Sequence, residues 1–269
     1  MSIEDLDLSQ FHASGAPPLP STAVESWLEH DGAQIGYATC GDGPAVILLH
    51  GGLGHAGNWG YQVPALIDAG YTAVLIDSRG HGRSTRDNQP YSYHLMASDV
   101  LAVMDALKLK QAYFAGWSDG ACTALVLASL HPARSAGVFF FACNMDPSGT
   151  KEMQPGLVID RCFSRHRQDY AALSATPEEF DDFVASVSEM MRTQPNYSAD
   201  DLRAIHVPVE IVLGEYDEFI KPEHAVYLAN TVPGATLTIL PGVSHFAPLQ
   251  RPALFNQTLL SFLNRLRAE

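Results

Sequence analysis

The sequence has little positive charge and no long apolar run, and each shortage argues against a class of protein. Its 269 residues carry 16 Lys and Arg against 30 Asp and Glu, a formal net charge of −14. A field of that sign repels phosphate backbones and anionic lipids, so we expect neither nucleic acid nor a membrane surface as a partner. No apolar run reaches the ~20 residues that a membrane-spanning helix needs. We therefore expect a soluble protein.

Cysteine and cofactor motifs are also scarce. The four cysteines form no CxxC pair and are too few for a disulfide framework, which favours reduced thiols in the cytoplasm. The first residues are acidic and precede no apolar segment, unlike a signal peptide. GxxxxGK[ST] and zinc-type ligand spacings are absent, so we expect no cofactor and no metal. No pattern indicates an oligomeric state.

What is present is a globular composition, 46% apolar and 17% charged, with a regular succession of short apolar runs. Residues 26–30 and 34–39 flank Asp31-Gly32, which predicts a β-hairpin. Six apolar runs follow, mostly separated by segments of helical period, at 45–49, 72–76, 112–115, 137–142, 209–213 and 236–240. This succession predicts an α/β fold with a mostly parallel eight-stranded sheet and helices on both faces.

The spacing of the runs also predicts the organisation of the chain. Apolar periodicity predicts helices over 91–107 and 121–130. The stretch between Cys143 and Val209 contains no convincing strand but has helix-capping signals at Thr176 and Ser198. We therefore expect an N-terminal arm at residues 1–22 and a helical lid at residues 145–205. The core is expected in two parts, at residues 23–144 and 206–269.

The most informative motif is Gly116-Trp117-Ser118-Asp119-Gly120, a GxSxG between a predicted strand and a predicted helix. Such a turn lifts a serine hydroxyl out of the sheet, and its glycines let strand and helix approach closely. The motif predicts Ser118 as a nucleophile.

A serine nucleophile needs a histidine to take its proton and a carboxylate to orient that histidine. His245 follows the last predicted strand, and Asp217 follows the strand before it, so both loops emerge at the edge of the sheet that carries Ser118. The sequence predicts Ser118, Asp217 and His245 as the catalytic residues. Glu215, Glu218 and Asp146 remain alternative acids.

Acyl transfer also needs backbone N–H groups that bind the oxyanion. The glycine-rich turn His50-Gly51-Gly52-Leu53-Gly54 follows the first predicted parallel strand and is flexible enough to aim its amides at the serine. We expect the donors of this oxyanion hole to be the amides of Gly52 and Asp119, with that of Leu53 as an alternative to Gly52. The predicted substrate pocket includes Leu53, Trp117 and Phe246. The charged segment 77–84 is interpreted as a structural turn, and His55 and Trp59 as pocket or core residues.

Five segments together resemble the α/β-hydrolase superfamily: HGG at 50–52, DSRGHGRS at 77–84, GWSDG at 116–120, LGEYDEFI at 213–220 and PGVSHF at 241–246. Within it, residues 105–125 are similar to the valacyclovir hydrolase (biphenyl hydrolase-like) group, whereas HGGLG and Ala121 depart from that group. Epoxide hydrolases and haloalkane dehalogenases of this superfamily use aspartate at the position of Ser118, which disfavours both activities here.

The resemblance implies the α/β-hydrolase fold and hydrolysis of a small carboxylic ester through an acyl-enzyme. Hydrolysis of enol-lactones, C–C bonds or α-amino esters by the same triad stays open, as does a non-catalytic ligand-binding receptor. We expect the lid to restrict the size of the acyl group. The Asp119 carboxylate either faces a cationic substrate group or only complements the start of its helix.

Overall fold

The computed structural model describes residues 4–268. Within that range, eight strands form one sheet in the order β1-β2-β4-β3-β5-β6-β7-β8. The strands are β1 Val24–His30, β2 Ala33–Cys40, β3 Ala45–Leu49, β4 Thr72–Ile76, β5 Ala112–Trp117, β6 Ser135–Phe141, β7 Val209–Gly214 and β8 Thr236–Leu240. The six from β3 to β8 run parallel, while β2 pairs antiparallel with β1 and β4. The predicted fold class is confirmed.

The predicted hairpin at Asp31-Gly32 is also confirmed. Both turn residues have positive φ, 40° and 78°, as a two-residue hairpin of this kind requires. The apolar runs match the strands to within about two residues because the central parallel strands are covered on both faces. Edge strand β8 is largely exposed, and its Ile239 faces solvent.

Helices connect the strands along most of the chain. Their bounds are α1 Ser9–Ser14, α2 Gln62–Asp68, α3 Tyr93–Ala106, α4 Asp119–Leu130, α5 Leu157–Leu173, α6 Phe180–Thr193, α7 Ala199–Arg203, α8 Pro222–Thr231, α9 Ala247–Gln250 and α10 Pro252–Ala268. Helices α3 and α4 lie where the periodicity predicts them, with the hydroxyl of Ser92 capping α3.

The order of the strands reverses at β3, and this reversal positions the site. The chain passes from β3 to β4 on one side and from β4 to β5 on the other. Because parallel crossovers are right-handed, α2 and α3 cover opposite faces of the sheet. The loops after β3 and β5 therefore lie side by side at a topological switch point, where open α/β sheets bind ligands.

Helices α5, α6 and α7 lie between β6 and β7, in the segment predicted as a lid. The predicted cap at Ser198 forms, since its hydroxyl accepts the Asp201 N–H. Thr176 occupies an N-cap position with Pro177 after it, as predicted, but the predicted capping bond does not form. Its side chain caps no amide, because residues Pro177–Glu179 form a 3-10 turn and α6 begins only at Phe180.

The predicted arm, residues 1–22, is described from residue 4 onward; residues 1–3 lie outside the described range. Its helix α1 packs against α5, with Phe11 buried. The Asp5 carboxylate accepts the Phe11 N–H at 2.8 Å, and the Asp5 N–H donates to the Gln250 carbonyl. Over residues 4–268, each helix is too short or too polar to cross a membrane.

Candidate active site

Ser118 stands on a strained turn between β5 and α4. Its φ of 54° and ψ of −123° lie outside the regions that serine prefers. A Cβ at Gly116 would stand 2.4 Å from the Ala121 Cα, and one at Gly120 would stand 2.0 Å from the Leu49 carbonyl oxygen. Only glycine fits at either position, so the GxSxG spacing is a packing requirement of this turn.

His245 and Asp217 form a buried pair beside this turn. His245 Nδ1 lies 2.9 Å from Asp217 Oδ2, and both side chains are almost fully buried. Because a carboxylate only accepts, we assign the imidazole proton to Nδ1. Asp217 Oδ1 accepts the N–H groups of Phe219 and Ile220, each at 2.8 Å. These bonds fix the carboxylate, and with the ring proton on Nδ1 the Nε2 atom of a neutral imidazole can accept a proton.

The three alternative acids bond elsewhere. Glu215 accepts the Gly242 N–H, and Glu218 accepts the backbone N–H of His245 rather than its ring. Asp146 accepts the Ser148 N–H and lies 3.8 Å from His224 Nδ1. Of the four acids considered, Asp217 is the one whose carboxylate meets the His245 imidazole.

Ser118 and His245 line one cavity of about 360 Å³ at the switch point. In residues 4–268 they share no direct hydrogen bond, and in unliganded sites such bonds are often long. A larger, more open groove of about 880 Å³ runs along residues 84–91 and α6, and Ser118, Asp217 and His245 are not among the described residues that line it.

The turn after β3 borders the serine. A Cβ at Gly51 would stand 3.3 Å from the Ser118 Cβ. Over the described range, 4–268, the backbone N–H groups of Gly52, Leu53 and Asp119 donate to no other protein group. The Asp119 N–H lies in the first turn of α4, and the first N–H groups of an α-helix have no acceptor within the helix. The turn and the helix start thus present unpaired amides around Ser118.

His50 holds this turn in place. Its Nδ1 donates to the Gly51 carbonyl at 2.8 Å, and its Nε2 accepts the Ser78 N–H at 3.0 Å. Burial lowers the pKa of His50 to about 4, so the neutral ring that both bonds require persists near neutral pH.

The Asp119 carboxylate lies at the cavity rather than in solvent. Oδ1 accepts the Tyr93 hydroxyl at 2.7 Å, while Oδ2 is buried without a partner within residues 4–268. Burial raises the pKa of Asp119 to about 6, against the opposing effects of the Tyr93 hydrogen bond and of the nearby His245.

Residues of the predicted lid complete the cavity wall. A Cβ at Gly52 would stand 2.1 Å from the Met191 methyl carbon, so α6 lies directly over the turn. The predicted pocket residues Leu53, Trp117 and Phe246 also line the cavity. The insertion contributes Thr150, Lys151, Met153, Cys162, Phe163, His166, Val184, Ser188 and Met191.

The charged segment 77–84 ties loops together, as the structural interpretation predicts. The Asp77 carboxylate accepts the Ala56 N–H at 2.7 Å and pairs with Arg83 at 2.9 Å. Arg79 is fully buried and pairs with Asp99. Trp59 is a core residue with no exposed surface, and His55 lies 3.4 Å from Asp169 on α5.

Several described residues at the cavity escape sequence reasoning, among them Tyr93, Asn58 and His166. Each stands in an ordinary helical pattern, and only tertiary packing brings it to the site. For Tyr93 the signal was a large polar aromatic on the buried stripe of α3. Over residues 4–268, groups of three or more His, Cys, Asp or Glu side chains that could hold a metal ion do not occur.

The chain is similar in sequence to a known family and to characterised hydrolases. A family model described as alpha/beta hydrolase fold matches residues 44–189, more than half of the chain. Human serine hydrolase BPHL is 29% identical over 246 residues, which cover 87% of this chain and 84% of that protein. Epoxide hydrolase B of Mycobacterium tuberculosis H37Rv is 43% identical, but over 98 residues, 36% of this chain and only 28% of that protein.

A solved structure shares both fold and part of the sequence. The N-acyl homoserine lactone degrading enzyme Est816 has a TM-score of 0.71 and 28% identity, and the match covers 88% of this chain and 100% of that one.

Proposed function

The chain belongs to the α/β-hydrolase family, and we propose that it is a serine hydrolase that cleaves small carboxylic esters with Ser118, His245 and Asp217. One observation carries the proposal. A strained serine and a histidine held by a buried carboxylate line the same cavity, next to unpaired backbone amides. This set of groups matches the needs of acyl transfer.

The reaction proceeds in two steps. Ser118 Oγ attacks the ester carbonyl carbon and passes its proton to His245 Nε2, while the amides of Gly52 and Asp119 bind the oxyanion. The alcohol leaves with that proton, and the acyl group stays on Ser118. Water then attacks the acyl carbon while His245 Nε2 takes one of its protons. The carboxylic acid is released, and His245 returns the proton to Ser118 Oγ. Asp217 orients the imidazole in both steps.

The relatives bear on the choice among hydrolases. The epoxide hydrolase match is short, and this chain has serine where the resemblance implies aspartate for epoxide opening. Lactones are cyclic esters, so the same groups would open them by the same steps. The likeness to a lactone degrading enzyme makes lactones the nearest alternative substrates.

Labelling with a fluorophosphonate tests whether Ser118 is activated. We expect Ser118 Oγ of the wild-type chain to attack the phosphorus of the probe and displace fluoride. The phosphonyl ester that forms on Ser118 is located by peptide mass spectrometry. A receptor that merely holds a ligand lacks an activated serine and would not react. Heat-unfolded protein is the control, and equal labelling before and after unfolding would contradict the proposal.

The unpartnered Asp119 oxygen favours a second candidate, an α-amino-ester hydrolase. A carboxylate buried at the cavity attracts an ammonium group more strongly than one in water does. The pKa of about 6 keeps Asp119 largely ionised at pH 7 and neutralises it below pH 6. A cationic substrate would therefore be favoured above that pH.

Alanine benzyl ester and benzyl propionate differ only in the α-amino group and test this candidate. We expect kcat/KM to favour the amino ester by about tenfold at pH 7 and the ratio to fall toward one as the pH drops from 7 to 5. Asp119→Asn should abolish the preference. Asp182→Asn, which removes an exposed carboxylate from α6, is the charge-matched control. A ratio unchanged in Asp119→Asn would show that Asp119 does not bind the amine.

A further inference from the structure

We propose that Asn58 and His166 form a polar subsite in the cavity that binds a second, uncharged oxygen of the substrate, a keto or lactone-type carbonyl beyond the scissile ester. The inference rests on the proposed function and narrows its substrate class. Both side chains line the cavity that holds Ser118 and are more than nine-tenths buried.

Asn58 presents a fixed hydrogen-bond donor. It lies in the 3-10 turn Ala56–Trp59, and its Oδ1 accepts the His55 N–H at 2.9 Å. That bond orients the amide, because only the oxygen can accept. Nδ2 is buried and has no acceptor anywhere in residues 4–268. A buried amide nitrogen without a partner is unusual in folded proteins.

His166 supplies a second donor from α5. Burial lowers its pKa to about 3 and raises that of the neighbouring Cys162 thiol, so both groups are neutral. Cys162 Sγ lies 3.2 Å from His166 Nε2, and we assign the S–H as the donor in that bond. The ring proton then resides on Nδ1, for which the described part of the chain offers no partner.

The two donors belong to side chains that lie close together at the cavity. A Cβ at Gly54 would stand 2.5 Å from Asn58 Oδ1 and 3.6 Å from His166 Cε1, so both side chains border the same short stretch of backbone. Apolar side chains, including those of Leu53 and Phe246, form much of the remaining wall. Trp117 also lines the cavity, and its Nε1 is a further buried donor without a partner in residues 4–268.

The electrostatics of the cavity favour a neutral oxygen. Both donors are uncharged, and the Asp119 carboxylate shares the cavity and opposes a second anion. The ammonium group of Lys151, which also lines the cavity, already donates to the Asp217 carbonyl oxygen. A carbonyl oxygen has two lone pairs and can accept from Asn58 and His166 together. A site with unpaired donors discriminates against an analogue that lacks the oxygen, because the donors then stay unsatisfied.

Matched esters test the subsite in the wild-type chain. The p-nitrophenyl ester of 4-oxopentanoate is compared with that of 4-methylpentanoate, and the ester of 5-oxohexanoate with that of 5-methylhexanoate. In each pair a keto oxygen takes the place of one methyl group. The pair 4-oxopentyl acetate and 4-methylpentyl acetate places the oxygen in the alcohol part instead. We expect kcat/KM to favour the keto ester by about tenfold or more in at least one pair.

Variants attribute the preference to the two donors. Asn58→Asp keeps the acceptor for the His55 N–H but replaces the free donor by an acceptor, so the ratio should fall to about one. His166→Leu should lower it as well, whereas His166→Asn, which retains an amide N–H near Nδ1, should restore part of it. The matched control is Asn230→Asp on exposed α8, for which the ratio should equal that of the wild-type chain.

The outcomes separate this inference from the proposed function. Wild-type ratios near one in every pair, with all esters cleaved, would overturn the subsite and leave the esterase intact. Ratios that persist in both Asn58→Asp and His166→Leu would also overturn it. Cleavage of none of the esters would refute ester hydrolysis itself. A keto preference that both donor variants abolish supports the subsite.

Discussion

Replacing Ser118 by alanine should lower kcat for ester hydrolysis by on the order of 10⁴-fold or more, because the variant has no atom that can form the acyl-enzyme. Loss of one hydroxyl leaves the strained turn, its glycines and the His245–Asp217 pair in place. The expected variant is therefore folded and inactive. The rate with p-nitrophenyl butyrate and the midpoint of thermal unfolding measure the two properties.

Ser186→Ala is the matched control, since Ser186 is exposed on α6 and its hydroxyl donates to the Asp182 carbonyl. We expect wild-type kinetics from it. A clean Ser118→Ala preparation that retained more than about a tenth of wild-type activity would contradict the assignment of the nucleophile.

The sheet could be predicted because its signals are local. The central parallel strands are buried on both faces, so runs such as Ala45–Leu49 and Thr72–Ile76 are continuously apolar and read directly from the sequence. The Asp31-Gly32 turn is equally local, since its positive φ values restrict which residues fit. At Thr176 the local signal located the N-cap position but not the type of turn, because a capping pattern does not determine whether the following turn is 3-10 or α-helical.

The candidate site could be predicted in part for a related reason. Topology places the ends of β5, β7 and β8 at one edge, so the positions of Ser118, Asp217 and His245 followed from the order of the strands. The sequence predicted Asp217 and left Glu218 as an alternative, because both lie in one loop. The coordinates distinguish them, since Asp217 bonds the His245 ring and Glu218 bonds its backbone N–H. The Tyr93 bond to Asp119 could not be foreseen, because it joins segments 26 residues apart through packing alone.

Asp217→Asn should lower kcat by roughly 10⁴-fold, about as much as the equivalent change costs in a well-studied triad. The amides of Phe219 and Ile220 donate to Oδ1, so an asparagine would keep its oxygen there and present its NH₂ group to His245. His245 Nδ1 would then have to accept, which moves the ring proton to Nε2. An imidazole protonated at Nε2 cannot take the proton of Ser118.

The loss of kcat in Asp217→Asn is thus expected to come from the wrong tautomer of His245 and not from unfolding. We expect Asp217→Asn to unfold at nearly the wild-type temperature and to react with a fluorophosphonate far more slowly, because the nucleophile loses its base. Asp146→Asn is the matched control and should stay within a few-fold of wild type, since its side chain still accepts the Ser148 N–H. If instead Asp146→Asn lost most of the activity while Asp217→Asn kept it, Asp146 would be the acid that orients His245.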